Sequence, residues 1–320
     1  MKKRTFLVAC LLAALLTACA GTQAPSVSPT IDLATASVEF ALEIKGDPHA
    51  LSMVPDVALD SQGNLLVIDG NNNRIQKFDS NGRFLSTWGS EGAGDGEFRF
   101  SSPSPPEGWG GVAVDAHGHV YVADSVNARI QKFDSEGHFL AKWGEEGMGD
   151  GQFFFPAGIA VDAQGNVYVS DSRREDIQKF DSEGHFLTKW PNLGGASYAL
   201  WIAVDEQGNV YVPNMESDEV RKFDSEGNLL KTFGGPGAGD GEFRDPVAVA
   251  VDHQGSVYVV EDIGLRVQKF DSEGNFLRGW GSRGSGDGDF RSPKGLVVDV
   301  DGSVYVADWG NERVQKFRQQ

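Results

Sequence analysis

Short apolar stretches recur along the chain, each only a few residues long and each closed by a polar turn that carries Gly. From position 111 the run Gly-Val-Ala-Val reaches 114, Asp-Ala-His-Gly turns, and Val-Tyr-Val-Ala follows over 120–123. Arg-Ile-Gln-Lys-Phe spans 129–133, Asp-Ser-Glu-Gly turns again, and Phe-Leu-Ala-Lys-Trp ends at 143. The continuous apolar runs predict strands covered on both faces, and the alternation in 129–133 predicts a strand of period two. Gly118 stands where a tight turn wants a positive φ. No stretch of the region has helical periodicity.

The order returns six times, at Val57–Ile68, Val112–Val122, Ile159–Val169, Ile202–Val212, Val249–Val259 and Leu296–Val306. In each copy an Asp (60, 115, 162, 205, 252, 299) lies eighteen residues before a Phe (78, 133, 180, 223, 270, 317). The Asp-to-Asp spacings are 55, 47, 43, 47 and 47 residues, so only the stretch from each Phe to the next Asp varies in length. Six copies of a four-stranded unit predict an all-β, six-bladed β-propeller. One blade is too small to hold a core, so its neighbours must supply it.

The final copy stops at Lys316-Phe317-Arg-Gln-Gln320, without the outer strand that follows Lys-Phe in the other five. An uncovered edge there would invite aggregation. The segment Val38-Glu-Phe40-Ala-Leu42-Glu-Ile44-Lys-Gly46 precedes the first copy, alternates with period two and ends in Gly as the outer strands do. It is expected to pair with Arg313–Phe317 and complete the sixth blade; a free lead-in strand is the other reading.

Pro-x-Gly-Ile-Ala-Val-Asp-x-x-Gly-Asn-Val-Tyr-Val-x-Asp (156–171), with Asn-x-Arg-Ile/Val-Gln-Lys-Phe at 72–78, 127–133 and 311–317, resembles the NHL repeat over residues 38–320. The resemblance implies the same six-bladed propeller and says little about activity, because a propeller hosts unrelated functions.

Met1-Lys-Lys-Arg4 is basic, Thr5–Leu16 is apolar but too short to span a bilayer, and Leu16-Thr-Ala-Cys19 follows. That ending resembles the bacterial lipobox, which implies a signal over 1–18, a lipid on Cys19 and a bacterial lipoprotein of the cell envelope; an ordinary export signal is the alternative. Residues 19–36, small and containing Pro, read as the lipidated Cys and a flexible tether, and 37–320 as the propeller. Cys10 would leave with the signal, so the mature chain has one cysteine and no disulfide.

Charge narrows the partners. The chain carries 28 Lys and Arg against 46 Asp and Glu, a net charge of −18. Loss of Lys2, Lys3 and Arg4 would take it to −21. Some animal NHL propellers bind RNA, which needs a basic face, and here the Gln-Lys-Phe lysines are scattered among acidic turns, so no nucleic acid is expected. Anionic headgroups would also repel the domain, leaving the lipid as its only hold on a membrane.

Enzymes that resemble this fold use metal-binding His or a ring of carboxylates. His117, His119 and His253 lie in first-turn slots, His138 and His185 follow Asp-Ser-Glu-Gly, and His49 precedes the first blade, so they read as turn decoration. No Gly-x-Ser-x-Gly or phosphate-cradling loop is present, nor a Cys/His-rich zinc module like that of NHL ubiquitin ligases. Asp299-Val-Asp301-Gly-Ser303 occupies the ordinary turn slot and reads as a turn rather than a calcium loop. No cofactor and no metal is expected.

Departures from the repeat remain. In an antiparallel blade the second-to-third loop and the connector to the next blade share a face. Asp69/Asn72/Arg74, Asp124/Asn127/Arg129 and Asp308/Asn311/Arg313 repeat there and read as structural, the Asp accepting from loop N–H groups and pairing with the Arg. Blade three has Arg173, Arg174, Glu175 and Asp176 in this loop, blade four Met215, Glu216, Asp218 and Glu219, and blade five Glu261 and Gly264. One connector gains Phe100–Trp109; another loses Gly-x-Gly-Asp-Gly-x-Phe for Asn192–Trp201, with Tyr198 and Trp201. Trp109, Tyr198, Trp201 and these charged residues are the expected recognition rim, drift in tolerant loops being the bland account. The expectation is a monomeric, lipid-anchored module binding an envelope protein or glycan. The alternative is a metal-dependent hydrolase or lyase with carboxylates in its central channel.

Overall fold

The computed structural model describes residues 37–46, 50–101, 110–174, 176–190 and 201–319. Six four-stranded antiparallel sheets are consecutive along the chain. Blade two shows the plan: Gly110–Val114 innermost, then Val120–Asp124, Arg129–Phe133 and Phe139–Trp143 outermost. In blades one to five the turn Asp holds its own turn together, and in blade six Asp301 takes the Ser303 N–H instead. Asp162 Oδ1 accepts from the N–H groups of Gln164 (3.0 Å) and Asn166 (2.8 Å), while Gly165, at φ +84°, closes the turn.

Blade six is Pro293–Val298, Val304–Asp308 and Arg313–Gln319, with Val38–Ile44 as its outer strand. Val38 stands opposite Gln319, Phe40 opposite Phe317 and Ile44 opposite Val314, with a register shift between Phe40 and Leu42. The first described strand therefore closes the ring on the last. Arg313 Nη1 reaches Glu43 Oε1 at 2.8 Å, joining the two strands by an ion pair as well.

The core lies between sheets. Ala58, Leu66, Ile68 and Ile75 of blade one pack with Val112, Val120, Val122 and Phe133 of blade two, and Phe98 and Phe100 of the connector fill between them. Blades also meet closely at the second turns. A Cβ on Gly137 would lie 2.5 Å from the Trp88 ring of the preceding blade, and Gly184 meets Trp143 in the same way at 2.6 Å. These Gly residues thus serve both a positive φ and the blade-to-blade approach. The strand-three Gln is wholly buried in five blades and in blades two, three, five and six ties the incoming connector down; Gln131 accepts from Gly96 N–H (2.9 Å) and donates to Glu97 O (2.7 Å).

Candidate functional site: the loop face and the channel mouth

The Asp-x-x-Gly turns form one face of the ring, and the second-to-third loops and connectors form the other, the loop face. On the loop face, Asp124 Oδ2 accepts from Asn127 (2.9 Å), Arg129 Nε (2.8 Å) and Gln131 (3.1 Å), while Oδ1 takes the N–H of Arg99 (2.8 Å). Arg129 then donates to the carbonyls of Ala93, Gly94 and Glu97 in the incoming connector. Asp308, Asn311 and Arg313 repeat this onto Ser285, Gly286 and Asp289. Asp69, Asn72 and Arg74 keep the inner half, with Arg74 Nε 2.7 Å from Asp69. The Arg of each trio is a clamp on the connector before its blade. Burial pushes the Asp124 carboxyl up, and the Arg99, Asn127 and Arg129 bonds offset only part of that.

In blade three the clamp has moved two residues. Arg174 donates from Nη1 to Gly149 O (3.0 Å) and Gln152 O (2.5 Å), the counterparts of two groups Arg129 holds, and to Gly147 O (3.1 Å), the counterpart of the Gly92 carbonyl that Asn127 holds, and pairs with Asp176 at 2.8 Å. The Arg174 side chain is 2% exposed and Asp176 is buried, so neither belongs to a recognition rim. Arg173 is exposed, its guanidinium 5.8 and 5.7 Å from the ring centres of Phe154 and Phe155.

Blade four has no clamp because the connector it would hold, with its Gly-x-Gly-Asp-Gly-x-Phe loop, is the one missing from the sequence. Glu219 occupies the Arg slot and takes Arg221 Nε at 2.6 Å instead. Asn214 Oδ1 accepts from the N–H of Glu216 and Ser217, and Asp218, at φ +53°, accepts from Asp245 N–H. Met215 is half-buried against the core, leaving Glu216 as the exposed member of this group. Blade five compensates by size: Glu261 does the work of Asp, and Gly264 replaces Asn because a Cβ there would lie 2.2 Å from Glu261 Oε2.

Four residues before each turn Asp, the innermost strands meet around the axis with Asp56, Gly111, Gly158, Trp201, Ala248 and Gly295. Trp201 is 3% exposed and donates from Nε1 to Gly110 O of blade two at 3.2 Å, crossing the mouth of the channel. The indole expected on the rim is therefore a plug. Behind it the channel encloses about 190 Å³, lined by the inner strands of all six blades. Asp56 is the one carboxylate among the described lining residues; Oδ2 accepts from Val112 N–H at 3.0 Å, and Oδ1 lies 2.1 Å from where a Cβ on Gly295 would sit. Burial raises the Asp56 carboxyl well above the usual range, against the bonds from Val112 and Val57.

On the turn face, ligand-type atoms of Asp115, His117 and His119 come within 4.8 Å of one another, as do those of Asp134, Glu136 and His138, a convergence that comes from within single turns. His119 Nδ1 lies 2.9 Å from Asp115 Oδ2, the bond that Asn166 makes to Asp162 (2.7 Å) in blade three. The His substitutes for a turn Asn. Cys19, His49, Trp109, Glu175 and Tyr198 lie outside the described residues.

Comparing only the Asp, Asn and Arg slots passes over a different departure. Trp309 stands where other blades have Gly70, Ser125, Ser172, Met215 and Asp262, and is 37% exposed on the loop face. Trp309 is the one aromatic residue in a slot otherwise held by Gly, Ser, Met or Asp.

Known proteins resemble the chain at two levels. A model of the NHL repeat matches residues 51–78 and 290–317, and a model of a 6-bladed beta-propeller matches 113–193. Protein brain tumor of Drosophila melanogaster is 45% identical over 60 residues, which span 19% of this chain and 5% of that protein. Protein lin-41 of Caenorhabditis elegans is 45% identical over 58 residues, 18% of this chain and 4% of that one. Among solved structures, a streptogramin B lyase covers 89% of this chain and 98% of its own at a TM-score of 0.57 and 16% identity. A gluconolactonase from Xanthomonas campestris covers 89% and 90% at 0.62 and 16%. At such identities the solved structures speak for the fold alone. The chain is a six-bladed β-propeller carrying NHL repeats.

Proposed function

We propose that this propeller is a cell-envelope binding platform, held by a lipid on Cys19 and presenting its loop face to a protein or glycan partner. The observation that carries the reading is the contrast between its concave and outer surfaces. Trp201 fills the channel mouth, and the side chains that line the space behind it are apolar apart from Asp56. The loop face instead exposes charged and aromatic side chains, Arg173 and Trp309 on loops clamped from beneath and Glu216 on the blade-four loop that Asn214 holds. Rigid loops carrying exposed charge and rings favour recognition, since little conformational freedom is lost on binding. By sequence Glu175 belongs to the Arg173 loop, and Trp109 and Tyr198 to connectors.

The competing reading, a metal-dependent hydrolase or lyase, draws on the lyase and gluconolactonase among the structural neighbours. A divalent ion takes several oxygen ligands, and the described channel lining offers the single carboxylate of Asp56. Two measurements separate the readings. Envelope extract is passed over the immobilised chain, wild type against a variant carrying both Arg173→Glu and Glu216→Lys, and the dialysed protein is assayed for metal. Capture weakened in the variant at unchanged melting supports the platform. A stoichiometric divalent ion together with capture indifferent to the loop face would carry the enzyme instead.

A further inference from the structure

Two depressions on the loop face, of about 620 and 640 Å³, share Arg291 and run from blade five across blade six to blade one. Arg244, Arg283 and Arg291 all line the second, and all are exposed. Among the described residues none of these three guanidinium groups has a carboxylate within ion-pair distance. Asp262, the acid in the same depression, is already taken by Lys294 Nζ at 2.5 Å and by the Ser292 hydroxyl at 2.7 Å. In a chain of net charge −18, three convergent unpaired arginines are a local reversal of sign.

Their placement is built in. Arg244 and Arg291 follow Phe243 and Phe290 in the same repeat slot, and their N–H groups are held by Glu261 Oε2 (2.9 Å) and Asp308 Oδ1 (3.0 Å). The Arg291 stem lies across Gly310, where a Cβ would sit 3.0 Å from Arg291 Cβ and Cγ. Arg283 replaces the Glu91 and Glu146 of earlier connectors. The other depression is chemically different. Trp309 offers an exposed ring, and Asn71 donates to Ser52 Oγ (3.0 Å), which donates to Glu312 Oε1 (3.0 Å). The Glu312 carboxylate accepts from the Ser52 hydroxyl and is placed to accept from sugar hydroxyl groups, which a polypeptide of acidic residues lacks.

We infer that this surface binds an acidic oligosaccharide, its carboxylates on Arg244, Arg283 and Arg291 and a sugar ring over Trp309 beside Glu312. Arginine pairs bidentately with carboxylates, and an indole face suits the C–H face of a sugar. The inference rests on the platform reading above and names its ligand class.

The test titrates the purified full chain with tetragalacturonate, its carboxyl-reduced neutral counterpart and tetraglutamate. Tetragalacturonate is expected to bind saturably and the neutral sugar at least about tenfold more weakly. Arg283→Gln and Arg291→Gln should each weaken binding about tenfold, while Arg99→Gln, the same repeat slot outside the depression, leaves it unchanged. Trp309→Ala should weaken tetragalacturonate binding, and every variant should melt with the wild type. Equal binding of the neutral sugar, or tetraglutamate binding as tightly as tetragalacturonate, overturns the ligand class. Binding indifferent to the Arg variants overturns this site while leaving a platform elsewhere on the face, and absence of saturable binding overturns the inference outright.

Discussion

Single side chains on the loop face change in compensating pairs. Glu261 needs Gly264, Arg174 needs Asp176, and the missing connector before blade four removes the need for a clamp arginine there. These pairs make residue-level predictions. Arg174→Ala leaves Asp176 buried without its partner and is expected to cost about 3 kcal/mol in denaturant unfolding. Arg173→Ala, one residue away and exposed, should cost about 1 kcal/mol or less. Equal costs would mean that the two arginines do not differ in role as the geometry says. Asp56 gives a pH signature. Its folded carboxyl titrates above the unfolded one, so its stabilising contribution is full below about pH 4 and is lost as pH rises toward the folded value. Asp56→Asn should therefore raise the melting temperature at neutral pH, with the gain shrinking on acidification toward pH 4; a gain that grows on acidification would contradict the assignment.

At the scale of elements, strands and turns were legible because each obeys a local rule. Period-two alternation marks Arg-Ile-Gln-Lys-Phe, and the Asp-x-x-Gly turn carries both its capping carboxylate and its positive φ in four residues. The closing strand Val38–Ile44 was legible from the alternation and from the outer strand the last copy lacks. Side-chain direction was not. Trp201 reads as a rim aromatic by its place in an irregular connector, yet it turns inward to Gly110, because nothing local says which way a loop ring points. Arg174 misleads likewise, since its partners are connector carbonyls some 22 to 27 residues away. Trp309 was visible as an odd residue in its slot, but the unpaired arginines around it converge only when blades five and six stand side by side. Removal of residues 37–46 strips the outer strand from blade six together with the Glu43–Arg313 pair, and should abolish cooperative thermal unfolding. An unchanged melting curve would show that the ring holds without it.

At the scale of the molecule, six sheets with inter-sheet cores leave the clamps, the plug and the two faces as consequences of one closed ring. Lipid on Cys19 should appear as a mass increment on the chain isolated from membranes, and a free Cys19 thiol there would end the anchored reading. The division into a turn face and a loop face, and with it the binding surface, depends on closure between Val38–Ile44 and Arg313–Gln319. Hydrogen exchange read by mass spectrometry tests that closure most directly. Residues 38–44 should exchange in step with 313–319, at the rate of global unfolding. Exchange of 38–44 within seconds while the other blades stay protected would contradict the ring.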